Sequence, residues 1–393
     1  MNNKETSLRL TILLGVLIAL PAVGTDLYVP ALPEVARALG APVAAAQFTL
    51  TTYFIGLAAG QLLWGPLSDR FGRKPVLLAG LLTMLAASLV GMFAQSVGTL
   101  AAVRLAQGLG MSSGSLIGRT IVRDLHAHEQ AARLLARMTI VFSVVPMCAP
   151  LAGALLVGAF GWPSVLGGMA VVAVALLASL AALPETAPAE RRSMHPAAIA
   201  RTFTGILGDR RFLAPFLLIL CAQIGILAWV SNSAFTLVRG LGVSTIAYGL
   251  MFALVMLGQI SGSWAASRLV LPLGLGRLLR LGALLMLLGG LCGAALAWLG
   301  VSHWTAVVLP FMVLLFGTAL IIPNAMAAAL TPFPQAAGSA SSLIGAIGFG
   351  SGAIVSTALG AAFDGSARPI ATVAALAGIG AFFLEKRLAH GPR

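Results

Sequence analysis

Residues 65–74 read GPLSDRFGRK, and they run directly into PVLLAGLLTMLAASLVGMFAQ at residues 75–95. The second stretch has 21 residues and carries no charged side chain. A helix rises about 1.5 Å per residue, so about 20 apolar residues cross the roughly 30 Å hydrocarbon core of a membrane. The two stretches together predict a membrane-spanning helix that begins directly after a short charged loop.

The composition of the whole chain extends this prediction. Of its 393 residues, 59% are hydrophobic and 9% are charged. A soluble domain carries about 25% charged residues because its surface faces water. The chain is therefore predicted to be an integral membrane protein. Its 45 glycines agree with this interpretation, since small residues allow membrane helices to approach closely.

The charges and cysteines exclude several other classes of protein. The formal net charge of +13 comes from basic residues in short gaps between apolar runs, where they set membrane topology. No basic patch is interleaved with aromatic residues, so nucleic-acid binding is not expected. The three cysteines lie inside apolar runs, which predicts neither a disulfide framework nor a metal site. His126 and His128 form an H-x-H pair with too few neighbouring ligands for a metal.

The same length criterion predicts twelve membrane-spanning helices, six on each side of the longest polar stretch. The fold class is therefore all-α integral membrane, with two six-helix bundles. The predicted spans are residues 10–30, 44–65, 75–95, 97–118, 136–160, 164–183, 213–237, 246–267, 278–300, 304–328, 338–362 and 369–385.

The longest polar stretch divides the chain. It predicts an N-terminal bundle at residues 1–183, a cytoplasmic linker at residues 184–211 and a C-terminal bundle at residues 212–393. Apolar residues recur at helical spacing within the linker and predict an amphipathic helix on the membrane surface. A disordered linker is the alternative. The recurring residues are Ile199, Phe203, Ile206 and Leu207.

The basic residues predict the orientation. With an even number of spans and both termini in the cytoplasm, all but four of the 24 Lys and Arg residues lie on the cytoplasmic side. The four exceptions are Arg37, Arg104, Arg239 and Arg368. Cytoplasmic loops carry an excess of Lys and Arg, so this orientation is expected in a bacterial inner membrane. The first apolar run is interpreted as a retained span and not as a cleaved signal peptide.

An internal repeat relates the two halves. Gly60-Gln61 and Arg70 recur as Gly258-Gln259 and Arg268, at an offset of 198 residues. Gly72-Arg73 recurs as Gly276-Arg277 after a short insertion. Two like halves that enter the membrane from the same side are parallel repeats, which favour alternating access to a site between them.

The charged loop resembles the G-x-L-x-D-R-x-G-R-K signature of the major facilitator superfamily, and every defined position is present. The resemblance implies two bundles related by a pseudo-two-fold axis. It also implies that the loop is a conformational latch on the cytoplasmic side. The latch residues are Gly65, Asp69, Arg70, Gly72 and Arg73. The second half has Ser267 where Asp69 stands in the first, so the latch is expected to be asymmetric.

Two further stretches narrow the resemblance. The sequence D-x-Y-x-P-A-L-P from Asp26 to Pro33 is similar to that of twelve-span drug:proton antiporters of the bicyclomycin- and chloramphenicol-resistance branch. The fourth span has Arg104 followed by Gln107 and Gly108, as a second family signature does. The fifth span keeps only part of the antiporter pattern. Its expected helix-packing residues are Pro146, Pro150 and Gly153.

Asp26 and Arg104 are the two ionisable residues that lie clearly inside predicted spans. Such groups cost about 2.5–3.5 kcal/mol each at a helix centre, and they are therefore usually functional. Both are predicted at a similar height in the outer part of the membrane. Our hypothesis is that Asp26 binds the coupling proton and that Arg104 tunes its affinity. The alternative is a permanent structural ion pair. Glu34 is interpreted as a solvated residue at the outer mouth.

These patterns predict proton-coupled efflux of small lipophilic drugs or antibiotics. Protons are the coupling ion, and no other cofactor is expected, since no lysine lies in an ATP-binding motif. A monomer without enzymatic activity is expected. The alternative is a transporter of an endogenous metabolite, and a membrane receptor or intramembrane enzyme is less favoured. Seven polar and aromatic residues of the spans are expected to face the substrate. They are Tyr28, Tyr53, Gln107, Gln223, Trp229, Asn232 and Asn324.

Overall fold

The structure is a computed structural model that describes residues 8–125, 128–180, 183, 185–187, 196–333 and 336–390. Over these residues the backbone forms fourteen α-helices and no strand. The helices are α1 Leu8–Asp26, α2 Leu32–Ala38, α3 Val43–Phe71, α4 Arg73–Gly91, α5 Val97–Leu125, α6 His128–Phe160, α7 Pro163–Ser179, α8 Pro196–Gly208, α9 Arg210–Ala234, α10 Thr245–Leu273, α11 Leu275–Trp298, α12 Thr305–Leu330, α13 Ala337–Ala362 and α14 Arg368–His390.

These helices make twelve spans, as predicted. A 3-10 turn at Val29–Ala31 joins α1 to α2 within the first span, and a π-helical segment at Phe235–Gly240 extends α9 within the seventh. The remaining short helix, α8, lies between the sixth and seventh spans. In the described part of the chain, nine spans are long and apolar enough to cross a membrane by themselves. α5 is not among them because it carries several polar side chains, and these are buried inside the bundle. They are Arg104, Gln107, Ser112, Ser113 and Ser115.

Several spans are longer than predicted, and most of the excess lies at one end of the molecule. The exception is the first span, which α2 carries eight residues beyond its predicted end on the other side. α3, α5, α10 and α14 continue five to seven residues beyond the predicted spans, and α6 begins eight residues earlier. The length criterion measures only the hydrocarbon core, whereas helices can continue into water. We call this end, with residues 71–74, residues 185–187 and α8, the linker face. The opposite end, with the α2–α3 turn at residues 39–42, is the far face.

Two groups of six spans pack against each other. α1 and α3–α7 form the first group, and α9–α14 form the second. The most extensive contacts between the groups are α3 with α13 and α6 with α10. α8 packs on α9 and α13 with Ile206 buried and Phe203 and Leu207 against the core. The side chain of Ile199 lies outside the described residues, and the predicted boundaries of the two bundles stay a prediction.

The repeat between the halves is present, but its predicted register is wrong. α3 and α10 each contain 29 residues, and each ends at a glycine with positive φ, Gly72 at 102° and Gly274 at 76°. The two glycines, like the starts of the two helices, are 202 residues apart. Gly276 lies inside α11 and is not the counterpart of Gly72. The predicted offset of 198 residues is four residues too short, which is about one helical turn. It therefore paired residues that lie on nearly the same face of the second span in each half.

Close glycine contacts confirm the corrected register. Gly56 and Gly60 bring α3 against α5, and Gly258 and Gly262 bring α10 against α12. Each pair is again 202 residues from the other. In both halves the second span therefore packs on the fourth through the same two positions, where small residues permit backbone contact.

Replacing Gly258 with alanine tests this contact. The new Cβ would overlap with the Met312 carbonyl oxygen, so α10 and α12 must separate. We expect Gly258→Ala to lower the free energy of unfolding by about 1–3 kcal/mol, measured by thermal unfolding in detergent. Gly276→Ala is the control, since no atom lies within 4 Å of its added Cβ. Equal stability of the two variants would contradict the packing.

Candidate functional site: a central cavity with a buried carboxylate

The first span is interrupted at Asp26. α1 ends at this residue, and the following turn and α2 contain Pro30 and Pro33 near their starts. Proline lacks the backbone donor that would continue the helix. Irregular backbone within a membrane is tolerated where it is buried in protein or lines a cavity. The Thr25 hydroxyl lies 2.9 Å from the Asp26 carboxylate, and Asp26 is only 4% exposed although it lines the central cavity.

Arg104 of α5 is fully buried beside this interruption. Its guanidinium carbon lies 4.1 Å from the ring centroids of both Tyr28 and Tyr53, so the cation interacts with two aromatic rings. Its Nη2 donates to the Gly24 carbonyl oxygen at 2.7 Å, and its Nη1 donates to Gln107 Oε1 at 2.9 Å. Arg104 therefore joins α1, α3 and α5 around the end of α1.

Asp26 and Arg104 lie in the same region but do not form an ion pair. The ion pairs among the described side chains do not include these two residues. The Nη1 and Nη2 atoms of Arg104 donate to Gln107 and Gly24, and two tyrosine rings pack against its guanidinium. The structure thus lacks the permanent ion pair that was the alternative interpretation.

The central cavity lies between the two groups of spans and has a volume of about 480 Å³. It extends from Asp26 to Arg119, Phe216 and Ser341, which lie near the linker-face ends of their helices. Its lining is mostly apolar. The polar exceptions include Thr25, Gln61, Ser115, Gln223 and Gln259.

A second cavity of about 500 Å³ adjoins the first between α10 and α12. The two share Pro146, Met256 and Gln259 in their linings.

The structure places most of the expected substrate-facing residues elsewhere. Gln223 lines the central cavity and Asn324 lines the adjoining one. Tyr28, Tyr53 and Gln107 are fully buried around Arg104.

Trp229 and Asn232 do not line the central cavity either. Trp229 is buried between Phe252 and Phe311 in the second half, and Asn232 lies at the far face. Polarity alone does not reveal which side of a membrane helix faces the cavity, and a role of these residues in substrate binding stays a prediction.

The α3–α4 loop gathers part of the predicted latch. Gly72 has a φ of 102°, a conformation that favours glycine. The buried Arg73 donates from Nη1 to the Asp69 carboxylate and, at 2.8 Å, to Ser68 Oγ. Arg70 is exposed and packs over the Phe71 ring instead.

Gly65, the remaining latch residue, faces the Leu116 side chain of α5.

Two acidic residues that the sequence did not single out complete this cluster. Asp124 of α5 accepts a hydrogen bond from Arg73 Nε at 3.1 Å. The Glu185 carboxylate accepts from the backbone N–H groups of Arg73 at 2.9 Å and Lys74 at 3.0 Å, at the positive end of the α4 dipole. Arg73 and Glu185 are 112 residues apart, and no sequence spacing pairs them.

The predicted helix-packing residues lie where α6 meets other helices. Gly153 approaches the Leu27 carbonyl directly after the interruption in the first span, and the Pro150 carbonyl lies against Gly249 of α10. Pro146 lines both cavities. His126 and the side chain of His128 lie outside the described residues.

The chain matches the model of the Major Facilitator Superfamily over residues 14–357. It is 32% identical over 359 residues to the bicyclomycin resistance protein homolog of Haemophilus influenzae, covering 90% of this chain and 89% of that protein. It is 28% identical over 356 residues to Multidrug resistance protein D of Escherichia coli, with the same coverage of both chains.

A solved structure has the same fold. The partially occluded inward open xylose transporter XylE from E. coli is similar with a TM-score of 0.72 and 15% identity, over 98% of both chains.

Glu185 predicts a pH-dependent contribution to stability. Partial burial acts to raise its pKa, but backbone N–H groups at residues 73, 74, 186 and 187 outweigh it and hold the pKa below its ordinary value of 4.5. The stabilisation is therefore present above pH 4.5 and is lost as the pH falls through the lower pKa of the folded protein. We expect Glu185→Gln to lower the melting temperature by about 1–2 °C at pH 7.

At low pH, once Glu185 is protonated in the folded protein, the two proteins should melt together. Thermal unfolding across a pH series makes the comparison. A difference that stays constant down to the lowest pH would mean that the carboxylate charge does not stabilise the start of α4.

Proposed function

We propose that this chain, which belongs to the major facilitator superfamily, exports small lipophilic drugs or antibiotics and couples their exit to the entry of protons. The curated relatives named for bicyclomycin and multidrug resistance support export of drugs. The chain is a multi-pass bacterial membrane protein. Proton coupling is typical of the family and needs a group that can carry the proton.

The observation that carries the coupling proposal is the position of Asp26. It is the one carboxylate among the described residues that line the central cavity. It lies at the interruption of the first span, where a change in helix packing alters its surroundings. Arg104 then acts as a positioning residue: it holds the Gly24 carbonyl and two tyrosines so that Asp26 faces the cavity.

The cavity lining supports a neutral or weakly polar substrate. Aromatic side chains such as Phe54, Phe252 and Phe349 provide apolar surface, and Gln223 and Gln259 offer a few hydrogen bonds. A mostly apolar pocket with few convergent polar groups is typical of sites for drug-sized molecules. A sugar or a dianion would leave hydroxyl or charged groups without partners here.

The orientation follows from the basic residues. We assign the linker face and both termini to the cytoplasm, because most Lys and Arg residues lie on that side. The cavity then extends towards the cytoplasm, and the molecule is ready to load a substrate from the cell interior. Asp69 is bonded to Arg73 of its own half, which fits a latch that is open in this state.

Residues 1–183 and 212–393 are proposed as the two moving bundles, joined by residues 184–211. Because the cavity is built from a single chain, we propose a monomer as the working unit.

One proton supplies enough energy to export a neutral substrate against its concentration gradient. A charge that crosses 100 mV releases about 2.3 kcal/mol, which sustains a gradient of roughly fiftyfold for a neutral substrate.

Asp26→Asn tests the coupling. The amide has nearly the same shape but cannot exchange a proton, so pH-gradient-driven transport of chloramphenicol in proteoliposomes should fall at least about tenfold. The folded protein should persist, as judged by gel filtration and melting temperature. Glu34→Gln is the matched control, since Glu34 is a half-buried carboxylate on α2 that does not line the cavity.

The two variants separate the possible outcomes. Full transport by Asp26→Asn would exclude Asp26 as the proton carrier. Equal losses in both variants would indicate a general requirement for acidic residues in this region. If the parent protein moves none of a panel of lipophilic drugs under a pH gradient, the proposal of drug export itself is wrong.

A further inference from the structure

The far-face end of the central cavity is closed by a polar contact around Gln47. Gln47 lies near the start of α3 and is fully buried. Its Nε2 donates to the Ser231 carbonyl oxygen at 2.9 Å, and its Oε1 accepts from Asn232 Nδ2 at 3.3 Å. One side chain of the first half therefore bonds twice to α9 of the second half.

Neighbouring groups extend this contact to α13. The Ser356 hydroxyl donates to the Gln47 backbone carbonyl at 3.4 Å, and Thr51 and Thr357 share a hydrogen bond at 3.2 Å. Gly360 faces the Gln47 side chain, and a Cβ added there would lie 3.2 Å from the Cβ of Gln47. The first half thus meets both α9 and α13 of the second half around one glutamine.

The chemistry of the contact allows it to open and reform. Ser231, Asn232 and Ser356 are fully buried, as Gln47 is, so the contact is dry in this conformation. These groups are neutral, and water can replace each hydrogen bond when the halves separate. A neutral hydrogen bond that is exchanged for water changes stability only modestly, whereas breaking a buried ion pair leaves uncompensated charges. Hydrogen bonds of this kind can keep the far face closed and still allow the two halves to separate there.

The backbone of α9 changes its form directly beyond the contact. Thr236 Oγ1 donates to Asn232 Oδ1 at 2.9 Å, and it lies in the π-helical segment Phe235–Gly240. Short π-helical segments are uncommon and are found frequently at functional sites. This segment adjoins the residues that Gln47 binds, at the end of the helix that must move for the far face to open.

We propose that Gln47, through Ser231 and Asn232, is the far-face gate residue that keeps the cavity closed to the outside and must release α9 before a substrate can leave. The proposal rests on the proposed transport function for its direction. Its test, however, measures access to the cavity and not transport.

The test uses a single cysteine just inside the gate. Val230 lines the cavity one residue before Ser231, and Val230→Cys is introduced after the native Cys148, Cys221 and Cys292 are replaced by serine. A membrane-impermeant maleimide is added to the outside of intact cells. Gln47→Leu removes both side-chain bonds to α9, so the rate of labelling should rise about fivefold.

Thr52→Val is the matched control. Thr52 lies on the same helix and is also buried, but its hydroxyl bonds to Thr49 within α3 at 3.0 Å. It removes a polar group without removing a contact between the halves, and it should leave the labelling rate unchanged.

Asn232→Ala provides a second variant if Gln47→Leu does not accumulate in the membrane. It removes one bond to Gln47 and should raise labelling by a smaller factor. An unchanged rate in folded Gln47→Leu protein, or an equal rise in Thr52→Val, would overturn the gate proposal. Faster labelling in a protein that transports no drug would leave the gate intact and reject only the proposed substrate class.

Discussion

The hydrogen bond from Arg104 to the Gly24 carbonyl oxygen holds the centre of the structure together. Gly24 lies two residues before α1 ends, and a lipid environment offers no donor to a carbonyl at an interrupted helix. Arg104 supplies that donor from α5, while Tyr28 and Tyr53 cover its charge. Both terminal nitrogens of the guanidinium are bonded without a carboxylate, and Asp26 is left to face the cavity.

The two ends of the cavity are built from different chemistry. At the linker face, Arg73 bonds to the Asp69 carboxylate within the first half, and the linker residue Glu185 accepts from the Arg73 backbone. At the far face, Gln47 and Asn232 join the two halves through neutral amides. The contacts that join the two groups of spans around Gln47 are therefore neutral, whereas the ion pairs of Arg73 lie within the first group.

The sequence allowed the twelve spans and the family to be predicted, because apolar length and the 65–74 loop are both local properties. The family match over residues 14–357 confirms the resemblance. Gly72 could be recognised as the turn between the second and third spans for a similar local reason, since few residues other than glycine adopt its positive φ. The sequence could not show that Gln223 lines the cavity and Trp229 does not. Lipid and protein interior are both apolar, so the pattern of apolar residues does not indicate which way a side chain of a membrane helix faces. Gln47 binds a helix 184 residues away, which one sequence cannot reveal.

The long helices have a mechanical consequence. α3 runs from Val43 to Phe71, and Phe71 follows Gln47 by 24 residues, a rise of about 36 Å along the helix. If the bundles pivot near Gln47 while its hydrogen bonds to α9 remain in place, a rotation of about 10° displaces the linker-face tip of α3 by roughly 6 Å. The helix then works as a lever arm: a displacement of less than one bond length close to the pivot becomes a movement of several ångströms at the linker face.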